Sequence, residues 1–543
     1  MRGASQAKWV VAAVAVALAA TACGSGSSSS GSSSDGAVNA QGVFSYQGSE
    51  PQHPLQPANA MEVGGGRIIK NLFRGLVDYD PTDGKLRNQV ADKIETTDAQ
   101  HYSVTLKSGW TFHDGTPVTA ASFVDAWNWS ANTKNNQVNS NWFSDIAGYD
   151  AVHPEAGDPT ADKMSGLKVV DDTHFTIDLS APVSYFQYKL GYTAFSPLPT
   201  SFYADPVKAG ENPIGNGPYK FVSWEHNKAV TLATYDKYTG LDKPKNGGIV
   251  FKNYTAAEAA YKDLTSDNLD VLDQVDPTDL ANYKTDLGDR AVDQPMGGIT
   301  SIAFAMYNDA WKAPEKAKVR QGLSMAIDRE TITKTVLNGS RAAADSWVAP
   351  GVAGYKKGAC GEACTFDPAK AKELIAAGGG VPDNKVTVLY NADGGHKEWV
   401  DAVCNSIRQS TGVECIGEPK PDFKSARDLI DGHKVTSMMR SAWQQDYPIN
   451  ANFLRDIYGT GASANDSLYS SPEFDKLAKE ADAAASIDKT TELYGEAEAV
   501  LAKDMPSIPL WYYKTNSGWD NKVQNVKFDS FGDPVFTQVE VKK

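Results

Sequence analysis

Between Asp367 and Ile416 the chain switches from helix pattern to strand pattern and back, and this alternation narrows the fold class more than any other feature. Asp367-Pro368 supplies an N-cap followed by proline at the first helical position, and Gly378-Gly-Gly stops that helix. Val386–Tyr390 reads as a strand. Lys397–Gly412 reads as a helix with Trp399, Val400, Val403 and Ile407 inward, and Val413–Ile416 as a strand again. A helix between two strands implies an α/β unit with a partly parallel sheet.

Other segments fit around that unit. Gly42–Pro51 looks like a strand ending at a Pro-rich turn, and Ile68, Ile69, Leu72, Phe73 and Leu76 have helical spacing. Tyr102, Val104 and Leu106 alternate with polar residues, as does His174–Leu179. Thr119 can cap a helix that buries Phe123, Val124 and Trp127. Lys220–Trp224 and Val230–Ala233 read as strands. From Ala313 the pattern is helical, with Asp328 starting a new helix. Pro472–Lys503 reads as one helical region leading into the buried strand Ser507–Tyr513. Length suggests about three domains of ~150 residues.

The N-terminus is an address. Arg2 and Lys8 precede the uncharged run Trp9–Ala22, too short for the roughly 20 residues of a bilayer span. Small residues before Cys23 mark an export signal over residues 1–22. Ala20-Thr21-Ala22-Cys23 resembles the lipobox of bacterial lipoproteins, with Ala20 where Leu is usual, and implies lipidation of Cys23. A Gly/Ser tether follows, so residues 23–40 are expected to hold the body off a membrane. Net charge is −15, and −17 once two basic residues leave with the signal. Such acidity argues against nucleic-acid partners. Four cysteines remain beyond Cys23, an even number in an exported protein, which points to two disulfides. The local pairs Cys360–Cys364 and Cys404–Cys415 are the simplest of three connectivities. No His lies at zinc-ligand spacing from either pair, so no metal or other cofactor is expected.

Catalytic signatures are missing as well. The sequence has no Gly-x-Ser-x-Gly elbow, no His-Glu-x-x-His and no phosphate loop, and its eight histidines form no recognisable pairing. His113-Asp114 belongs to a turn. One stretch instead suggests binding. After the apolar run Val435–Met439, read as a buried strand, Arg440-Ser-Ala-Trp443-Gln-Gln-Asp446-Tyr447 sets a cation, an aromatic and a carboxylate close together. Such a strand end can offer backbone groups and charged side chains to one ligand, as the floor of a cleft.

Several motifs together resemble a known family. Ala91–Lys107, Phe112-His-Asp-Gly-Thr-Pro-Val-Thr-Ala120 and Phe123-Val-Asp-Ala-Trp127 look like the signature of the family 5 extracellular solute-binding proteins of ABC transporters. Asn216-Gly-Pro-Tyr219, Ala317–Asp328 and Ile508-Pro-Leu-Trp-Tyr512 follow in the family's order. The resemblance runs from about Phe44 to the C-terminus and is strongest to oligopeptide-binding proteins. It implies a periplasmic-binding-protein-like α/β fold (type II, cluster C), two-lobed, with an extra inserted domain and a two-segment hinge. Domain I would comprise residues 41–75, 194–295 and 505–543, domain II residues 76–193, and domain III residues 296–504.

The resemblance also implies roles. Asp446 would pair with the peptide's α-ammonium, while Arg440 and His396 would serve its terminal carboxylate. Ser49-Glu50-Pro51 would lie along the peptide from the opposite side. The strand-end reading adds Ala442 and Trp443 as ligand-binding candidates, with a core position that holds the strand as the alternative for Trp443. The expected protein is a monomeric, lipid-anchored receptor, not an enzyme, that hands oligopeptides to membrane-embedded ABC permease subunits. Rival ligands on the same fold are dipeptides, nickel complexes, haem and oligosaccharides. A secreted hydrolase is the rival from another class, and a peptidase assay separates it.

Overall fold

Long-range pairing turns the local patterns into three principal sheets in the computed structural model, which describes residues 37–543. The export signal, Cys23 and most of the Gly/Ser tether lie outside the described residues. In the first sheet Val43–Gly48 pairs in parallel with Gly248–Asn253, which continues antiparallel to Ala229–Thr234 and then Tyr219–Glu225. Phe44 and Tyr46 point inward from alternate positions and meet Phe536 near the C-terminus. The strand Val43–Gly48 and the segment around Phe536 therefore close one core.

The second sheet is wholly antiparallel, in the order Ala91–Thr96, His101–Leu106, His174–Asp178, Leu167–Asp171. Tyr102, Val104 and Leu106 are its buried face, as their alternation predicts. The helix Ala120–Ala131 covers it, started by a Thr119–Ser122 capping box. Trp127 is fully buried here, and its indole N–H donates to the Phe195 carbonyl at 2.9 Å.

The third sheet holds six strands, in the order Arg341–Ala343, Ser507–Gly518, Ala291–Phe304, Met438–Gln444, Lys385–Asn391, Glu414–Lys420. Lys385–Asn391 runs parallel to both neighbours, so the strand–helix–strand unit is present, with Lys397–Thr411 as its helix. Asp367 caps the preceding helix through its side chain, and Asp328 does the same for Arg329–Thr335. The cysteines are paired Cys360–Cys364 and Cys404–Cys415, which ties the Lys397–Thr411 helix to the strand after it. Ala291–Phe304 and Ser507–Gly518 are longer than this sheet needs. Their far ends pair Ala291 with Gly518, where Leu272 N–H donates to the Gly518 carbonyl, close beside the first sheet. A register shift between Pro295 and Ile299 interrupts the ribbon midway.

Two boundaries differ from the sequence reading. Pro472–Lys503 is not continuous. It divides into Pro472–Asp482 and Ile487–Asp504, because Ser486 bonds the Lys489 N–H and starts a new helix. The strand expected at Val435–Met439 is instead Met438–Gln444, since its antiparallel register begins at the Phe304–Met438 pair. Val435 packs with Leu389 and Ile430 ahead of the strand. Arg440, Ala442 and Trp443 consequently lie within the strand rather than past its end.

Candidate functional site

Strand Met438–Gln444 presents Arg440 opposite Ile302, Ala442 opposite Thr300 and Trp443 opposite Ile299. Asp446 follows where the chain turns toward the helix Ala451–Tyr458, and Asn452 on that helix fixes the turn. Its side-chain oxygen accepts from Asp446 N–H at 2.8 Å and from the Trp443 indole at 3.1 Å. Its amide donates to Asp456 at 2.9 Å but reaches the Asp446 carboxyl only at 3.4 Å. Trp443 thus holds the strand's exit, and the Asp446 carboxyl is left with one long hydrogen bond.

Burial, followed by the charge of Asp456, pushes the Asp446 carboxyl up to about 7; the Asn452 hydrogen bond and Lys189 act the other way. Lys189 cannot fully neutralise it, because its ammonium is paired with Asp145. Asp456 is raised as well, again chiefly by burial, and accepts from Tyr447 at 2.8 Å.

Asp446 opens into a cavity of about 250 Å³ whose other walls include Glu62, Tyr79, Tyr192, Gln444 and Phe531. Tyr192 stacks flat on Trp142 with ring centres 3.7 Å apart. Glu62 is a second carboxylate on this cavity. One of its oxygens caps the helix Val63–Leu72 through Gly65 N–H at 3.1 Å, and the other is buried without a hydrogen bond. Arg67, one turn on, donates to Asp273 and Asp533 at 2.6 Å each, and Lys70 also reaches Asp533, at 3.2 Å. These links attach the helix to the segment carrying Phe531. An adjoining cavity of about 200 Å³ shares Val63, Arg67 and Gln444 with the first, so the two form one cleft beside the strand.

Arg440 and His396 also come together. Burial, followed by the nearby Arg440 charge, pulls the His396 imidazole down to about 4. Trp399 donates to its Nδ1 at 3.2 Å, which leaves Nε2 as the N–H of a neutral ring. The Arg440 Nε is buried with no hydrogen-bond partner.

Ser49 and Glu50 are placed differently from one another. Ser49 lies against Gly64 at the start of the helix Val63–Leu72, so closely that a side chain at 64 would collide with its hydroxyl. The Glu50 carboxylate accepts from Asn227 N–H at 2.8 Å, meets His226 at 3.0 Å and also holds the Asn253 amide. It ties the end of the first strand to a neighbouring hairpin and does not line the Asp446 cavity.

Glu62, Arg67, Tyr192 and Phe531 were not singled out from sequence. A Glu ahead of Val-Gly-Gly-Gly-Arg67 could have been read as an N-cap; nothing in the local sequence marks the other three.

The model of the bacterial extracellular solute-binding proteins, family 5, matches residues 85–465. The chain belongs to this family. Membership places it among extracellular solute-binding proteins of ABC transporters rather than enzymes. Among similar proteins, the oligopeptide-binding protein OppA of Bacillus subtilis (strain 168) is 25% identical over 512 residues, covering 90% of each chain. The periplasmic oligopeptide-binding protein OppA of Salmonella typhimurium is 28% identical over 497 residues, covering 88% of each. Among solved structures, the unliganded open form of the murein tripeptide binding protein MppA aligns with a TM-score of 0.79 at 22% identity, over 92% of this chain and 97% of that one. OppA of Haemophilus influenzae, in complex with RPPGFSPFR, aligns with a TM-score of 0.72 at 20% identity, over 93% and 100%. These structures share the two-lobed family 5 fold. Among the described residues no helix is long and apolar enough to cross a membrane.

Proposed function

We propose that this family 5 protein binds oligopeptides and delivers them to an ABC permease. The observation that carries the reading is Asp446, a half-buried carboxylate with one long hydrogen bond, on the wall of a cavity beside an accessible strand. A ligand ammonium is the group that such a carboxylate lacks. The peptide lies along Arg440–Gln444 and uses backbone hydrogen bonds common to every sequence. Its carboxylate reaches Arg440, whose buried Nε has no acceptor, with the neutral His396 as a second donor. The names of the relatives, which bind oligopeptides and a murein tripeptide, support the same ligand class.

The rest of the assignment follows as part of the proposal. Cys23 carries the lipid that anchors a monomer to the outer face of the cell membrane. The proposal includes the three-part division expected from sequence, with the long ribbon of Ala291–Phe304 and Ser507–Gly518 as the hinge between domains I and III. Isothermal titration with mixed-sequence tetrapeptides tests the ligand. Free-amino peptides are expected to bind at least about tenfold more tightly than their N-acetylated forms. Equal affinity would remove Asp446 from its role. Native mass spectrometry showing a retained non-peptide solute, or cleavage of the peptides, would overturn the peptide reading itself.

A further inference from the structure

The second cavity of the cleft contains a cation that the peptide reading has not used. Arg341 begins the edge strand Arg341–Ala343, opposite Tyr513, and its guanidinium lies 4.7 Å above the Tyr513 ring. Its one protein acceptor among the described residues is the neighbouring Ser340 carbonyl, at 2.8 Å. The other cations on this cavity are compensated. Arg67 is held by Asp273 and Asp533, and Lys514 is paired with Asp293. Arg341 is thus a half-buried charge with no carboxylate, in a protein whose acids outnumber its bases. Removing such a group from water is costly unless an anion supplies the missing acceptors.

Arg341 is also well separated from Arg440. Two strands, Ser507–Gly518 and Ala291–Phe304, lie between the strands that carry them, about 14 Å across the sheet. Along the sheet, Arg440 is level with Ile508 through Ile302, while Arg341 is level with Tyr513, roughly 16 Å further on. One carboxylate held at Arg440 cannot also satisfy Arg341. The Arg341 cavity instead adjoins that of Asp446, because Gln444 and Val63 line both. Met296 and the Tyr513 ring give it apolar walls suited to a side-chain stem.

We propose that Arg341 is a second carboxylate subsite of the cleft, taking the acidic side chain of a residue near the peptide's amino end. This rests on the peptide reading above. Tyr513 fixes the plane of the guanidinium, and its free edge N–H groups offer the paired donors that a Glu or Asp carboxylate accepts.

The test is isothermal titration of the full-length mature protein with one tetrapeptide series. Each position in turn carries Glu or Gln, and every peptide is made as free acid and as C-terminal amide. Wild type is expected to prefer Glu over Gln by about tenfold or more at one of the first three positions. Arg341→Gln should erase that preference while holding the Gln peptide within about twofold of wild type. Arg341→Lys should restore part of it, without the full discrimination of a planar fork. If Arg341→Gln erases the acid-over-amide preference instead, the subsite still takes a carboxylate, and its source is the peptide's end. Equal binding of Glu and Gln peptides by wild type at every position, with acid and amide alike in their response to Arg341→Gln, overturns the subsite and leaves peptide binding intact. Failure of wild type to bind any peptide overturns the peptide reading and the subsite with it.

Discussion

Asp446→Asn is expected to weaken a free-amino tetrapeptide by about 100-fold or more, and to make the unliganded protein more stable. Both effects have one cause. In the empty cleft Asp446 is a half-buried acid near the charge of Asp456, and desolvation holds its proton up to about pH 7. Unfolded, the same carboxyl releases its proton near the ordinary 3.8. Between those values the folded state binds more protons than the unfolded one, so acidification through the window stabilises the empty protein and rising pH destabilises it. Asn removes the cost of ionising that carboxyl and keeps the hydrogen bonds to Asn452 nearly intact. Thermal melting at pH 5 and pH 8 should therefore show a variant advantage that grows with pH, on the order of 1–2 kcal/mol at the upper end.

Ligand affinity should follow the opposite course. An ammonium prefers the ionised carboxylate, so wild-type affinity should fall by up to about tenfold per unit as pH drops below 7, with proton release on binding. Above about pH 8 the peptide's own α-amino group loses its proton, which places the optimum near pH 7–8. His396 does not blur this profile, because burial and Arg440 hold its titration down near 4. Asp446→Asn should bind weakly and lack the acid limb. A flat wild-type profile between pH 5 and 7, or an unchanged affinity for the variant, would end the assignment.

What was legible in the sequence is what neighbouring residues decide. Tyr102, Val104 and Leu106 alternate because one face of their strand is dry, and Asp367-Pro368 starts a helix through its own side chain and ring. The candidate site was only half of that kind. Asp446, Trp443 and Arg440 share one strand and its exit, so a short stretch carried them together. Glu62, Tyr192 and Phe531 reach the same cavity from segments hundreds of residues apart, and no local period encodes such a meeting. Glu50 shows the converse. Its motif suggested a peptide-facing role, yet its carboxylate is engaged by Asn227, His226 and Asn253. No apolar pattern marks the break in Pro472–Lys503, because apolar residues continue on both sides of Ser486.

Arg67→Met should lower stability by about 3–5 kcal/mol, the largest effect expected from a single side chain on the cleft wall. Arg67 is buried between Asp273 and Asp533, bonded to each at 2.6 Å, and lies 5.6 Å over the Tyr46 ring. Tyr46 in turn donates to Asp273 at 2.9 Å, so one guanidinium joins the first strand, the Asp273 loop and the C-terminal segment. Met fills much the same volume but leaves two carboxylates facing each other without their cation. Lys70 partly compensates Asp533, at 3.2 Å, and does not reach Asp273. The penalty is therefore mainly an orphaned charge rather than a lost contact, and two further changes that remove the carboxylates should recover most of it. In Arg67→Met with Asp273→Asn and Asp533→Asn, the urea midpoint is expected to return most of the way to wild type, since replacing a whole buried ion cluster is close to neutral. If the triple variant is no more stable than Arg67→Met alone, the network acts through packing and not through charge. Peptide affinity should separate the same alternatives. The helix Val63–Leu72 forms one wall of both cavities, so loss of its anchor should weaken binding and Glu/Gln discrimination together, and the charge-balanced triple variant should regain both.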